Sequence, residues 1–359
     1  RGVFDGTRPV YGPASGLGWP MHYRYPPLFL LLFAPFAMLP LGWGAAVWVL
    51  LKVAVLVWLV RALQKAGVWP HNSSFIHVLP CLLFIAPYIV EEFRYGNAQF
   101  FVFALTAAGL LLAGAAPLPA AGSLALAISI KVWPLFFIPY LAAGRHWRVV
   151  SYTMIIVLAL TFLPSFYFGV AGNVGLLHQW FTQEFHTQLN ENEIWFPNQS
   201  LRGFLMRYLT VVDYSQVPDG NYPQVNITTV NPASIRLLWM IIAGTLYGGF
   251  LLLVFSRKNG PAPVDHALAF CLLALLEPFT QKYALAVLLW PALAAAAFMK
   301  DRRIRILIYC AAVLALIQPL APGAATQRLL QVLGLDFGAA TLLTAGLFIG
   351  RQTRSVTTV

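Results

Sequence analysis

Residues 23–40 read YRYPPLFLLLFAPFAMLP, so that Tyr23, Arg24, Tyr25 and the pair Pro26-Pro27 stand at the mouth of an apolar run closed by Leu39-Pro40. A bare membrane span needs no charged, aromatic, double-proline knot at its entrance. The knot points to a shaped site at a membrane surface, and the run behind it is the first of many. Hydrophobic residues make up 59% of the 359 residues and charged residues 10%, against roughly 25% charged in soluble domains. The mean hydropathy is +0.73. In hydrocarbon, backbone amides must be bonded within a helix or a closed barrel. The runs are continuous rather than alternating, so helices are predicted. The expected fold class is an all-α polytopic membrane protein.

Apolar length predicts segments at 28–39, 41–60, 75–90, 97–113, 118–131, 132–143, 149–170, 234–255, 266–277, 283–299, 304–320 and 329–350. Several fall short of the ~20 residues a full crossing needs. Pro134, Pro139 and Pro278 suggest broken or re-entrant helices, tolerated where they line protein or water. The implied organisation is an outer loop at 1–27, a first transmembrane half at 28–170, an outer cap loop at 171–233, and a second half with a short tail at 234–359. The chain starts at Arg1 without a methionine, and one or more helices are expected upstream.

The net charge is +11, but the basic residues punctuate the spans, as the positive-inside rule requires; no nucleic-acid partner is expected. One alternating path places Arg61, Lys65, Arg145, Arg148, Arg257, Lys258, Lys300, Arg302, Arg303, Arg305, Arg351 and Arg354 on the cytoplasmic face. Asp5, Glu91, Glu92, Glu184, Glu191, Glu193, Asp213, Asp219 and Glu277 then fall outside, while Asp336 stays unassigned. Cys81, Cys271 and Cys310 lie inside apolar runs as inert thiols. The sequence has no P-loop, dinucleotide-binding turn or Gly-x-Ser-x-Gly, so a group-transfer donor must come from elsewhere, and a lipid-linked one suits an outer-face site. His178, Glu184 and His186 match no zinc spacing, and neither a metal nor another cofactor is expected.

The residues that can carry chemistry fall into constellations on the outer face. One holds Arg8, Tyr11, His22, Tyr23, Arg24 and Tyr25. A second runs from Glu91 through Arg94 to Asn97 and Gln99. A third is Lys131-Val132-Trp133-Pro134, and a fourth is Asn198-Gln199-Ser200 with Arg202 and Arg207, joined by Glu277-Pro278-Phe279-Thr280 and Lys282. Interfacial anchoring explains Tyr23, Arg24 and Tyr25 taken singly as well as function does. Lys131 lies between apolar runs, where a charge is costly and marks function more often than snorkelling. Lys52, mid-span, has no role in this scheme.

In order along the chain, these motifs resemble glycosyltransferase family 87, the polyprenyl-phosphate-mannose-dependent mannosyltransferases of the GT-C superfamily. The first loop from Asp5 to Tyr11 and on to Pro27 is similar to that family's first loop. Gly96-Asn97-Ala98-Gln99 stands where it has a Gly-Gln-x-Asn element, and Ser129 to Tyr140 resembles its lysine-proline segment. Asn198-Gln199-Ser200 with Arg207 resembles its amide-serine element. Glu277-Pro278-Phe279-Thr280 lies where a Ser-Pro-x-Ser/Thr-Trp element is usual, with Glu277 and Lys282 replacing serine and histidine. The resemblance implies a GT-C-type multi-helix bundle with extracytoplasmic loops in the plasma (inner) membrane.

The implied reaction moves a hexose, mannose in that family, from a polyprenyl-phosphate donor to a glycolipid or glycan acceptor in envelope glycolipid synthesis, with inversion and without an obligatory metal. Its base is an aspartate expected upstream of this chain; Asp5, at the wrong spacing, is the weak candidate here. Lys131, Arg24 and Arg207 are then candidate contacts to the donor phosphate, as charge-assisted donors. Tyr25, Asn97, Gln99, Asn198, Gln199, Glu277 and Lys282 are candidate contacts to sugar or acceptor. The competing class is a transporter or lipid flippase, for which Lys52 is the main argument; a non-catalytic scaffold would hardly need the first-loop knot.

Overall fold

The computed structural model describes residues 9–12, 23–69, 74–185, 198–214, 222–257 and 260–357. The outer-loop residues Asp5, Arg8 and His22 lie outside them, as do His186, Glu191, Glu193, Asp219 and Lys258. The described residues are helical throughout their ordered elements. Contacts divide the chain into two compact units, one of residues 1–59 and 96–191, the other of residues 60–95 and 192–359.

The first unit contains α1 (Pro27–Met38), most of α2 (Leu41–Lys65), α4 (Gln99–Leu112), α5 (Pro117–Ile130), α6 (Phe137–Ala143), α7 (Trp147–Phe162) and α8 (Ser165–Phe185). Pro27 and Pro117 open their helices, where the missing N–H costs nothing. α5 packs between α4 and α7, and α1 lies against α5, α7 and α8. Past α5 the chain makes a 3-10 turn at Trp133–Phe136 before the short α6, so Pro134 breaks the segment as expected. α7 and α8 meet at a 93° bend after Pro164. Asn173, fully buried, fixes that bend by donating from Nδ2 to Thr161 O and Ser165 Oγ, each at 3.0 Å.

The second unit holds α3 (Phe75–Tyr95), α9 (Leu201–Leu209), α10 (Pro232–Phe255), α11 (Pro263–Leu276), α12 (Leu289–Ala295), α13 (Arg302–Leu320), α14 (Ala324–Val332) and α15 (Leu335–Thr357). α13 packs on α15 and α3, and α11 packs on α15. Two expected spans differ in form. The segment at 283–299 is 3-10 over Lys282–Leu288 before it becomes α12. Pro291 explains this: it has no N–H for the Val287 carbonyl, which an α-helix would need. The last span is a pair, α14 and α15, bent by 48° at Leu333-Gly334, where Gly334 has φ +76°.

Among the described residues four helices, α2, α3, α10 and α13, can each cross a membrane by length and composition, and up to six spans result if each bent pair counts as one. α10 leaves Leu237, Leu238, Ile241, Leu246 and Leu252 exposed. A helix apolar on every side, with its large side chains uncovered, has its solvent in lipid. At one end of α10, Asp265 at the start of α11 is fully buried and receives Arg351 Nε at 2.7 Å and Arg257 Nε at 3.3 Å. Two of the basic residues assigned to one membrane face thus share one acid.

Candidate functional site

The sequence-predicted residues fall into separate clusters, one in the first unit and two in the second. In the first unit, α4 starts at Gln99, whose N–H donates to Asn97 Oδ1 at 2.8 Å in the turn that leads into the helix. Gln99 itself is buried, and its Oε1 accepts from Lys131 Nζ at 2.8 Å and Trp133 Nε1 at 3.2 Å. Lys131 is the extended residue that ends α5, so its ammonium lies at a helix C-terminus, where positive charge is favoured. It is half-buried rather than enclosed.

The first loop is laced onto this cluster. The Ala98 N–H donates to Tyr25 Oη at 2.9 Å, and the Tyr11 hydroxyl donates to the Tyr25 carbonyl at 2.7 Å. From α8, Trp180 Nε1 donates to Arg24 O at 3.1 Å and Gln183 Nε2 to Tyr23 O at 2.9 Å. Rings continue from the loop along α1: Tyr23 to Tyr25 at 5.6 Å, Tyr25 to Phe29 at 4.4 Å, Phe29 to Trp48 at 6.5 Å. Burial, and then the Glu184 charge, pushes the Tyr11 phenol well above its usual range; burial does the same at Tyr23. Both phenols are therefore neutral, and that of Tyr11 serves as a hydrogen-bond donor. The whole is an ammonium fixed on an amide beside an aromatic wall. Such a set can bind a phosphate at the cation and a sugar face on the rings.

In the second unit, Asn198, Gln199 and Ser200 are fully buried and Arg207 nearly so. Their polar atoms are engaged mainly by the main chain. Asn198 Nδ2 donates to Pro278 O at 2.9 Å, while its Oδ1 accepts from the N–H groups of Ser200 and Thr280, each at 3.1 Å. Gln199 Nε2 donates to Gln331 O at 3.1 Å. Arg207 donates from Nε to Val332 O at 2.9 Å and from Nη1 to Asn198 O. Burial lowers the Arg207 guanidinium to about 10, which leaves it charged at neutral pH. Ser200 caps α9 by accepting from the Gly203 N–H at 3.2 Å. This knot ties α9 to the Pro278 break and to the end of α14.

A second polar group in that unit centres on Lys282. Its Nζ donates to Gln318 Oε1 and lies 3.8 Å from Asp336 Oδ1, which also accepts from the Tyr88 hydroxyl at 3.1 Å. Glu277, which ends α11, has its Oε1 3.0 Å from the Thr280 hydroxyl. Asp336, Tyr88 and Gln318 were not singled out from sequence. One signal was available at Asp336: an acid between apolar runs is a functional candidate by default.

This is a multi-pass helical membrane protein whose polar side chains gather at helix ends and helix breaks. The model for glycosyltransferase family 87 matches residues 23–278, most of the chain, and the chain belongs to that family. The match takes in Tyr25, Asn97, Gln99, Lys131, Asn198, Gln199, Arg207 and Glu277. A polyprenol-phosphate-mannose-dependent alpha-(1-2)-phosphatidylinositol mannoside mannosyltransferase of Mycolicibacterium smegmatis is 28% identical over 165 residues. That alignment covers 40% of this chain and 36% of the relative, so the chain spans about a third of the length of that curated protein. No solved structure matches the chain significantly.

Proposed function

We propose that the protein transfers a hexose, mannose in the first instance, from a polyprenyl-phosphate donor to a lipid-linked or glycan acceptor. The oxygen of an acceptor hydroxyl attacks C1 of the donor sugar and forms the new glycosidic bond. The C1–O bond to phosphate breaks, polyprenyl phosphate leaves with the bonding electrons, and an aspartate takes the hydroxyl proton. One displacement inverts the configuration at C1. The observation that carries the reading is the Lys131 ammonium held on Gln99 at 2.8 Å, in a chain of this family. A positioned cation stabilises charge that develops on a departing phosphate. Arg24 is the second phosphate contact. Tyr25 and the rings beside it receive the sugar or the first isoprene units. Arg207, whose Nε and Nη1 serve carbonyl oxygens, is assigned to the fold rather than to the phosphate.

The distribution of basic residues supports an extracytoplasmic site in the plasma membrane. A second reading, a transporter or lipid flippase, draws on Lys52, which is fully buried in α2. Membranes containing the overexpressed protein, given radiolabelled polyprenyl-phosphate-mannose and a lipid extract, separate the two. A new labelled glycolipid supports transfer. Absence of product with this and other polyprenyl-phosphate sugars, from folded protein, would move the transporter reading ahead.

A further inference from the structure

Two arginines converge on one acid beyond the end of α10. Asp265, fully buried in the first turn of α11, accepts from Arg351 Nε at 2.7 Å through Oδ1 and from the Ala262 N–H at 2.8 Å through Oδ2. Arg257 Nε lies 3.3 Å from the same Oδ2. All three residues belong to the second unit. A buried carboxylate needs a well-placed cation to offset its desolvation, and Arg351, 12% exposed, is that cation. Arg257 is surplus to it, so the group carries two positive charges against one negative. The Arg257 side chain is 29% exposed, and neither of its Nη groups makes a hydrogen bond among the described residues. The group is thus open to its surroundings on the Arg257 side.

Depth and charge identify what stands there. α10 has 24 residues, roughly 36 Å at 1.5 Å per residue, against a hydrocarbon core of about 30 Å. Arg257 follows the last residue of α10 by two positions, so it emerges at headgroup level. Leu252, Leu253 and Phe255 at that end of α10, and Phe348 one turn before Arg351, are exposed apolar side chains. They offer a surface for acyl chains directly beneath the charge. A guanidinium takes a phosphodiester in a two-point contact that a point charge cannot reproduce. A phosphodiester with one negative charge also balances the one surplus positive charge.

We propose that Arg257 and Arg351, oriented by Asp265, form a binding site for the headgroup of an anionic phospholipid in the adjoining leaflet, the leaflet that the basic residues face. The site goes beyond the transferase reading and does not depend on it. The full chain is purified in neutral detergent and titrated with phosphatidylglycerol and with phosphatidylcholine of the same acyl chains. Bound lipid is counted by native mass spectrometry, and the melting midpoint is followed in parallel. Phosphatidylglycerol should bind about five- to tenfold tighter, the scale of one arginine at an anionic surface or one charge-assisted bond, and should raise the midpoint. In Arg257→Gln, which leaves Arg351 on the acid, that preference and the rise should vanish while the lipid-free midpoint holds. Arg303→Gln removes an equal charge from an arginine whose side chain is 78% exposed and should keep both. Glycerol 3-phosphate, the anion without the chains, should not displace the lipid.

Equal binding of the two lipids to the unaltered protein overturns the site. So does a preference that survives Arg257→Gln or is lost equally in Arg303→Gln, which marks diffuse charge. A lowered lipid-free midpoint in Arg257→Gln with the preference intact marks a structural ion pair, and displacement by glycerol 3-phosphate removes the lipid as the ligand. If Arg257→Gln does not fold, Arg257→Lys takes its place: it keeps the charge and loses the planar fork, and an unchanged preference there overturns the site as well.

Discussion

In the first unit an amide and a cation, Gln99 and Lys131, bond to each other at 2.8 Å, and the lysine stays half-exposed. In the second, Asn198, Gln199 and Arg207 are buried and reach the main-chain oxygens of Pro278, Gln331 and Val332 at 2.9, 3.1 and 2.9 Å. The residue types are the same and the partners differ. A side chain bonded to another side chain at a helix end is held in place without a main-chain partner. A side chain bonded to carbonyls at a helix break replaces the partners that the break removed. Residue type and motif order do not separate the two; burial and partner do.

The contrast can be broken by substitution. The largest effect is expected at Lys131: Lys131→Ala should lower transfer about 10²–10³-fold, the usual cost of one positioned donor to developing charge, with the melting midpoint unchanged. Unaltered turnover in the radiolabel assay would remove Lys131 from the phosphate. Arg207→Ala should act on the fold instead. It removes two charged donors from buried carbonyls, worth about 3 kcal/mol or more together, and should cut the yield of folded protein measured by size-exclusion chromatography.

Gly203→Ala sharpens the same point by a steric route. A Cβ there would stand 2.4 Å from Asn198 O and 2.6 Å from Asn198 Cγ, so the knot must shift at a cost of about 1–3 kcal/mol. Its melting midpoint should fall, and a midpoint equal to that of the unaltered protein would mean that the knot is loosely packed. The smallest effect is expected at Asn231, whose side chain caps α10 by accepting from Ala233 N at 2.8 Å. Asn231→Ala should cost about 1 kcal/mol and leave turnover per folded molecule intact, a value the same assay reads.

The helices were legible because hydrocarbon imposes one rule on every segment, and the apolar runs mark α1 to α5 and α10 to within a few residues. The start of α1 at Pro27 was also legible, since proline is favoured at the first helical position and disfavoured further in. What sequence did not give was the pairing. Gln99 and Lys131 are 32 residues apart, Arg207 and Val332 are 125 apart, and Tyr88 and Asp336 are 248 apart. No local periodicity joins such partners. Asn198 and Gln199 look like sugar-binding amides in a polar loop, and only their burial beneath the Pro278 break shows what their side chains touch. The same distance hid the two arginines that converge on Asp265.

The most direct test of this division takes Lys131→Ala and Arg207→Ala side by side, and measures on each sample both the melting midpoint and the rate of mannose transfer per folded molecule. The account predicts a crossed result: a normal midpoint with transfer lost at Lys131, and a lowered midpoint with transfer largely kept by the surviving molecules at Arg207. Transfer lost at Arg207 with a normal midpoint, or retained at Lys131, would contradict it.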